Sequence, residues 1–102
     1  MMTDWIWIHY TRARPHWYEL DDSVRAKKLA EWSAICVESA VRGGVLHGRY
    51  HIRGQSDFNL VETWNFPSVD AAFDHWSRLT RAGYAEWFVS ANNIGLREEV
   101  DG

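Results

Sequence analysis

Seven tryptophans in 102 residues constrain this chain more than any other feature. A domain of this length folds around one modest core. An indole is bulky and, once buried, needs a partner for its N–H. Trp5, Trp7, Trp17, Trp32, Trp64, Trp76 and Trp87 exceed what one such core is expected to hold. Some of them are therefore expected to lie against a second subunit or a flat apolar or aromatic ligand.

The remaining composition is that of a globular protein, with 46% hydrophobic and 25% charged residues. The length fits a single domain over residues 1–102. Net charge is −3 with both signs interleaved, which provides no clustered basic face for nucleic acid. No apolar run approaches membrane-spanning length, and Met1-Met2-Thr3-Asp4 lacks the basic and apolar regions of a signal peptide. The single cysteine, Cys36, excludes an internal disulfide and fits a reducing cytoplasm. Its place in a helical pattern makes it a buried small hydrophobe rather than a nucleophile. A cytoplasmic protein without nucleic-acid or membrane partners is expected.

Hydrophobic periodicity divides the chain into six main elements. Asp4 to Arg12 alternates aromatic and β-branched residues as a strand does. Pro15 punctuates a connector carrying His16, Trp17 and Tyr18. A helix is expected to open near Asp21, Asp22 or Ser23 and to end at Gly43-Gly44, with Ala26, Leu29, Trp32, Cys36 and Ala40 as its buried stripe and Lys27, Lys28 and Glu31 on its wet side. Val45 to Arg53 and Phe58 to Phe66 form a hairpin around Gly54-Gln55-Ser56-Asp57. Ser68 caps a second helix with the stripe Val69, Ala72, Phe73, Trp76, Leu79 and Gly83. Tyr84 to Phe88 adds a short turn, Val89 to Arg97 a last strand with a bulge suggested by Asn92-Asn93, and Glu98 to Gly102 a frayed end. The order β-α-β-β-α-β is that of an α+β ferredoxin-like fold, a four-stranded antiparallel sheet with two helices on one face.

Two helices cover only one face of such a sheet. Strand parity gives one set with Ile6, Ile8, Tyr10, Leu46, Gly48, Tyr50, Ile52, Val61 and Thr63, which suits packing beneath the helices. The other set joins Trp5, Trp7, His9, Val45, His47, Arg49, His51, Arg53, Phe58, Leu60, Glu62 and Trp64. So many exposed rings would be adhesive, so this second face is expected to be covered by another copy of the chain.

The same set supplies candidate chemistry. Trp5, Trp7 and Trp64 suit stacking on a planar ligand, His9 or His51 moving a proton near neutral pH, and Arg49 steadying an enolate or phenolate oxygen. The alternative is that they only fill an interface, with Arg49 paired to Glu62. His47 and His51 stand about 13 Å apart along a strand and cannot share one metal ion; His9 with one of them and Glu62 is geometrically possible, but histidines hydrogen-bonded in a dimer interface are expected instead. Trp17 either lids a pocket or staples onto the first helix, and His75 leaves the buried stripe of its helix and is expected to be solvated. No phosphate loop, nucleophile elbow or CxxC pair is present.

Phe58-Asn59-Leu60-Val61-Glu62-Thr63-Trp64-Asn65-Phe66, followed by Pro67 to Trp76 with its Ala72-Phe73 pair, resembles the dimeric α+β barrel superfamily, which includes antibiotic-biosynthesis monooxygenases. Pro15-x-Trp17-x-x-Leu20 and Gly83-Tyr84-x-x-Trp87-Phe88 are similar to darcynin-like small families within it. The resemblance implies a homodimer closed sheet to sheet into an α/β barrel. It also implies a small aromatic or polyketide-like ligand bound or transformed without a tightly held cofactor, with Trp76 added to the binding tryptophans. A non-catalytic dimeric ligand-binding or interaction module is the alternative. Haem-degrading members use an Asn on the first strand, a Trp on the second helix and a His after it. Trp76 matches the Trp, but the Asn and the His are missing, so no haem is expected.

Overall fold

The computed structural model describes residues 5–54 and 57–98. Its elements are β1 (Trp5–Ala13), a 3-10 turn (Pro15–Glu19), α1 (Asp22–Val41), β2 (Val45–His51), β3 (Leu60–Phe66), α2 (Val69–Arg81), α3 (Tyr84–Trp87) and β4 (Phe88–Leu96). Met1–Asp4, the Gln55-Ser56 part of the expected hairpin turn, and residues 99–102 of the expected frayed end lie outside the described residues. The sheet order is β2-β3-β1-β4 with every pairing antiparallel, the ferredoxin-like α+β arrangement.

Local chemistry accounts for the joints. Ser68 Oγ accepts the Ala71 N–H at 3.1 Å and caps α2, a contact worth about 1 kcal/mol. Arg78 and Arg81 lie in the last turn of that helix, where cations suit the dipole. Gly83, at φ +82°, occupies the left-handed region that glycine enters without strain. It reverses the chain so that α3 starts at once and turns Tyr84 back over the sheet.

The sheet faces are the reverse of the sequence expectation. Trp7, His9, Thr11, Glu62, Trp64 and Phe66 are the buried strand residues, and they lie beneath the helices. Ile6, Tyr50 and Val45 are exposed on the opposite side, with Ile8, Tyr10 and Val61 half-buried. The tryptophan face therefore packs against the chain's own helices and is not left for a second copy. The physical reason is that its polar members are satisfied from within the fold, so burying them carries no orphan penalty.

The strand irregularity lies elsewhere than the sequence pattern suggests. The register of β2 on β3 shifts between Leu46 and Gly48, so Leu46 shares the helix face with Arg49 and His51. His47 turns outward to the Asn65 side-chain oxygen. The expected bulge at Asn92-Asn93 is absent, because β4 pairs with β1 without interruption.

The helices bury other residues than expected as well. In α1 the buried positions are Trp32 and Ser39, whereas Ala26, Leu29 and Ala40 are exposed. Lys28, expected on the wet side, sets its ammonium 5.2 Å from the Trp87 ring centroid. In α2 the buried residues are Ala72, His75 and Leu79; Phe73 is exposed. His75, expected in solvent, is 0% exposed.

Two aromatic clusters result. One joins Trp7, Trp64, Phe66 and Ala72, and the other Trp17, Trp32 and Leu79; Trp76 packs against both. Trp17 lies 5.6 Å from Trp32 and 5.0 Å from Phe88 between ring centroids, so it acts as a staple onto α1 and β4.

Candidate functional site

Trp32 holds α1 to the far end of α2: its Nε1 donates to the Ala82 carbonyl at 3.1 Å, and its ring meets Tyr84 and Phe88 edge-on. Between α1 and the sheet lies a cavity of about 350 Å³, within the size range of small-molecule sites. Leu29, Trp32 and Cys36 of α1, Leu79 of α2, and Leu60 and Phe88 of the sheet give it apolar walls. Polar groups converge from Thr11, His9, Tyr84, Arg49, Glu62 and Ser33.

Successive inward positions of β1 bring His9 and Thr11 to the floor. His9 Nδ1 lies 2.5 Å from Asn92 Oδ1 on β4, its direct register partner, and Nε2 lies 3.1 Å from the Tyr84 hydroxyl. Tyr84 also donates to Thr11 Oγ1 at 3.1 Å, and Thr11 donates to the Val89 carbonyl at 3.2 Å. One face of the His9 ring stacks on Trp7 at 4.8 Å. Burial lowers the His9 pKa, opposed by its bond to Asn92, so the imidazole stays neutral at pH 7. Burial likewise raises Tyr84 to about 12 and the Cys36 thiol to about 11. Both therefore remain protonated.

The mouth carries a closed ion pair. Arg49, opposite Glu62 in the β2–β3 register, donates through Nε to Glu62 Oε2 at 2.9 Å, and its Nη2 lies 2.7 Å from the same oxygen. The Trp64 indole N–H donates to the other oxygen, Oε1. Glu62 is thus fully engaged, and the arginine that faces the cavity is already neutralised.

Of the residues singled out from the sequence, His9 and Arg49 border the cavity. His51 is exposed at the end of β2 and does not line it. Trp7, Trp64 and Trp76 form the packing behind His9 and Glu62. Trp5 is half-buried at the start of β1, and Trp17 belongs to the second cluster. Tyr84, Thr11, Trp32, Cys36 and Asn92 also border or support the cavity, and the sequence does not single them out as site residues. The one signal for Asn92 was its in-register place opposite His9, which needs the strand pairing to be known.

Among the described residues no group of three or more His, Cys, Asp and Glu converges on a metal position. Neither buried histidine presents a free, accessible nitrogen to a haem iron. His9 engages both ring nitrogens with Asn92 and Tyr84, and His75 is sealed among Trp7, Trp64 and Phe66. No helix among the described residues is long and apolar enough to cross a membrane.

Fold and site together define a ferredoxin-like α+β protein with an aromatic-walled cavity between its first helix and its sheet. No family model and no curated protein matches the sequence. Solved structures do match. A putative chlorite dismutase superposes with a TM-score of 0.70 at 18% identity, over 91% of this chain and 43% of that one. The chlorite dismutase of Candidatus Nitrospira defluvii in complex with imidazole gives 0.78 at 16% identity, over 95% and 41%. A mutant of that enzyme gives 0.79 at 16%, over 97% and 42%. The chain thus spans less than half the length of these structures, and at such identity the likeness is one of fold.

Proposed function

We propose that the protein binds a small, largely apolar aromatic molecule in the cavity beneath α1, with a polar substituent directed at His9, Tyr84 and Thr11. The observation that carries this reading is the cavity itself: about 350 Å³ of space with aromatic walls and one cluster of hydrogen-bonding groups. An apolar pocket with a few convergent polar groups is what ligand sites look like generally. The neutral imidazole and the protonated phenol suit acid–base work on such a ligand without a tightly held cofactor. His9 is the site's base, Tyr84 its hydrogen-bond donor and Arg49 a gatepost held by Glu62. The darcynin-like and monooxygenase-like resemblance supports a polyketide-like or quinone-like ligand, and the single free thiol supports a cytoplasmic setting.

Trp32 borders the cavity, so its emission reports occupancy. Saturable quenching is expected with at least one class in a panel of phenols, quinones and flavonoids, and none with fatty acids. Ser33 is exposed at the rim, and Ser33→Phe should weaken the quenching at least tenfold without loss of fold. Quenching by no aromatic compound at high micromolar concentration, or identical quenching in Ser33→Phe, would refute the reading.

A second reading, a dimer whose assembly is itself the purpose, draws on the uncovered sheet face. Ile6, Val45 and Tyr50 are 37%, 46% and 54% exposed there, beside Ile8, Tyr10 and Val61. Such a patch favours self-association through this side of the sheet. A dimer is expected in sedimentation at micromolar protein, shifting to monomer in Ile8→Lys; a wild-type monomer under these conditions rules it out.

A further inference from the structure

Arg49 has hydrogens to spare. A guanidinium carries five N–H hydrogens and accepts nothing. Nε and Nη2 of Arg49 both meet Glu62 Oε2, at 2.9 and 2.7 Å, whereas Nη1 has no partner among the described residues. The side chain is 53% exposed and lines the cavity. Strand register places it on one row with Glu62, His9 and Asn92, running across β2, β3, β1 and β4. Arg49 and His9 are therefore two strand spacings apart, about 9–10 Å between backbones. One end of the cavity thus holds the polar floor and the other an unused donor, with apolar walls between them.

From this row we infer that the ligand is polar at both ends. Besides the substituent at the floor it carries an uncharged acceptor, the carbonyl oxygen of an aryl ketone or quinone, which takes the Nη1 hydrogens of Arg49 at the mouth. The inference rests on the cavity being a ligand site and adds the ligand's second functional group and its orientation. Arg49 touches the ligand and sets specificity. Glu62 and Trp64 are positioning residues: the carboxylate holds the guanidinium through Nε and Nη2, and the indole N–H holds the carboxylate.

Glu62 decides that the acceptor is uncharged. It is 8% exposed, and its carboxylate already balances the guanidinium. A ligand carboxylate would meet no net positive charge at the mouth and would give up its hydration beside a second anion. A carbonyl gives up less on entry and still gains a hydrogen bond from a charged donor, the stronger kind.

Three phenols that differ only in the group opposite the hydroxyl test this: 4-hydroxyacetophenone, 4-ethylphenol and 4-hydroxybenzoate, the last ionised at pH 7. Trp32 quenching at that pH should show the ketone binding about tenfold tighter than ethylphenol and the benzoate weakest. Without a donor at the mouth the order reverses, because the ethyl group is the more apolar. Glu62→Gln keeps an amide oxygen for Trp64 and frees the Arg49 charge, so the benzoate should gain about tenfold or more relative to the ketone. Arg49→Met combined with Glu62→Gln removes both charges without stranding either and should cancel the ketone's advantage over ethylphenol. Ethylphenol binding as tightly as the ketone in the wild type, a ketone advantage that survives the double substitution, or a benzoate unmoved by Glu62→Gln overturns the inference alone. Quenching by none of the three defeats the ligand site and the inference with it.

Discussion

Trp64→Ala is expected to lower the free energy of unfolding by about 3–5 kcal/mol. The indole is 1% exposed, stacked on Phe66 with ring centroids 5.3 Å apart and set against His75 at 4.8 Å. Truncation opens a cavity in the first aromatic cluster and also strips Glu62 Oε1 of its indole donor. A buried acceptor that loses its partner adds its own desolvation penalty to the packing loss. Thr63 lies next to Trp64 on β3 but on the uncovered face, and Thr63→Ala should change stability by less than about 1 kcal/mol. Urea unfolding of the two variants measures the contrast. Equal losses would mean that the helices do not cover the tryptophan face.

The second large effect is on acid stability. His75 is enclosed by Trp7, Trp64 and Phe66. Ser39 Oγ accepts from Arg78 Nη2 at 2.6 Å and pairs with His75 Nδ1 at 2.5 Å. His75 Nε2 has no hydrogen-bond partner among the described residues. Burial depresses the His75 pKa from 6.5 to about 4, with Glu62 and Asp74 opposing and Arg78 and His9 assisting. Because the folded value is the lower one, the unfolded chain binds more protons between pH 6.5 and about 4. Stability from this group is complete above 6.5 and is lost as the pH falls through the window down to about 4. A gap of that size corresponds to about 3 kcal/mol. His9, whose pKa is also lowered, acts in the same direction. Denaturant unfolding across that range should give a falling stability in the wild type and a shallower slope in His75→Leu. A flat wild-type profile, or identical slopes, would contradict the assignment.

Sequence periodicity carried the element order, because alternation in β1 and the 3.6-residue stripe of α2 are local signals. Ser68, Gly43-Gly44 and Gly83 marked the helix ends for the same reason. Which face of the sheet is covered was not a local question. Ile6, Ile8 and Tyr10 looked like a core, and His9 and Glu62 looked like a wet surface or an interface. The fold decides otherwise because the partners of the polar residues arrive from elsewhere in the chain: Asn92 and Tyr84 for His9, Arg49 and Trp64 for Glu62, Ser39 for His75. His75 is buried for the same reason: its spacing places it off the stripe of α2, and its partner Ser39 comes from α1, where no local pattern marks it. His9 and Arg49 were legible as candidates because their residue types and shared strand parity already set them together. Tyr84, on a one-turn helix behind a glycine, had no periodic neighbour to mark it.

The cavity beneath α1 is the proposed working surface of this protein, with Trp32 in its wall and Trp7, Trp64, Trp76 and Trp17 in the packing around it. Chemical-shift mapping with 4-nitrophenol tests it most directly. Binding at the proposed site moves the Trp32 indole N–H and the amides of Cys36, Leu60 and Tyr84, leaving Ile6, Ile8 and Tyr50 in place. Shifts confined to Ile6, Ile8 and Tyr50, with Trp32 unmoved, would place the ligand on the open sheet face and contradict the account.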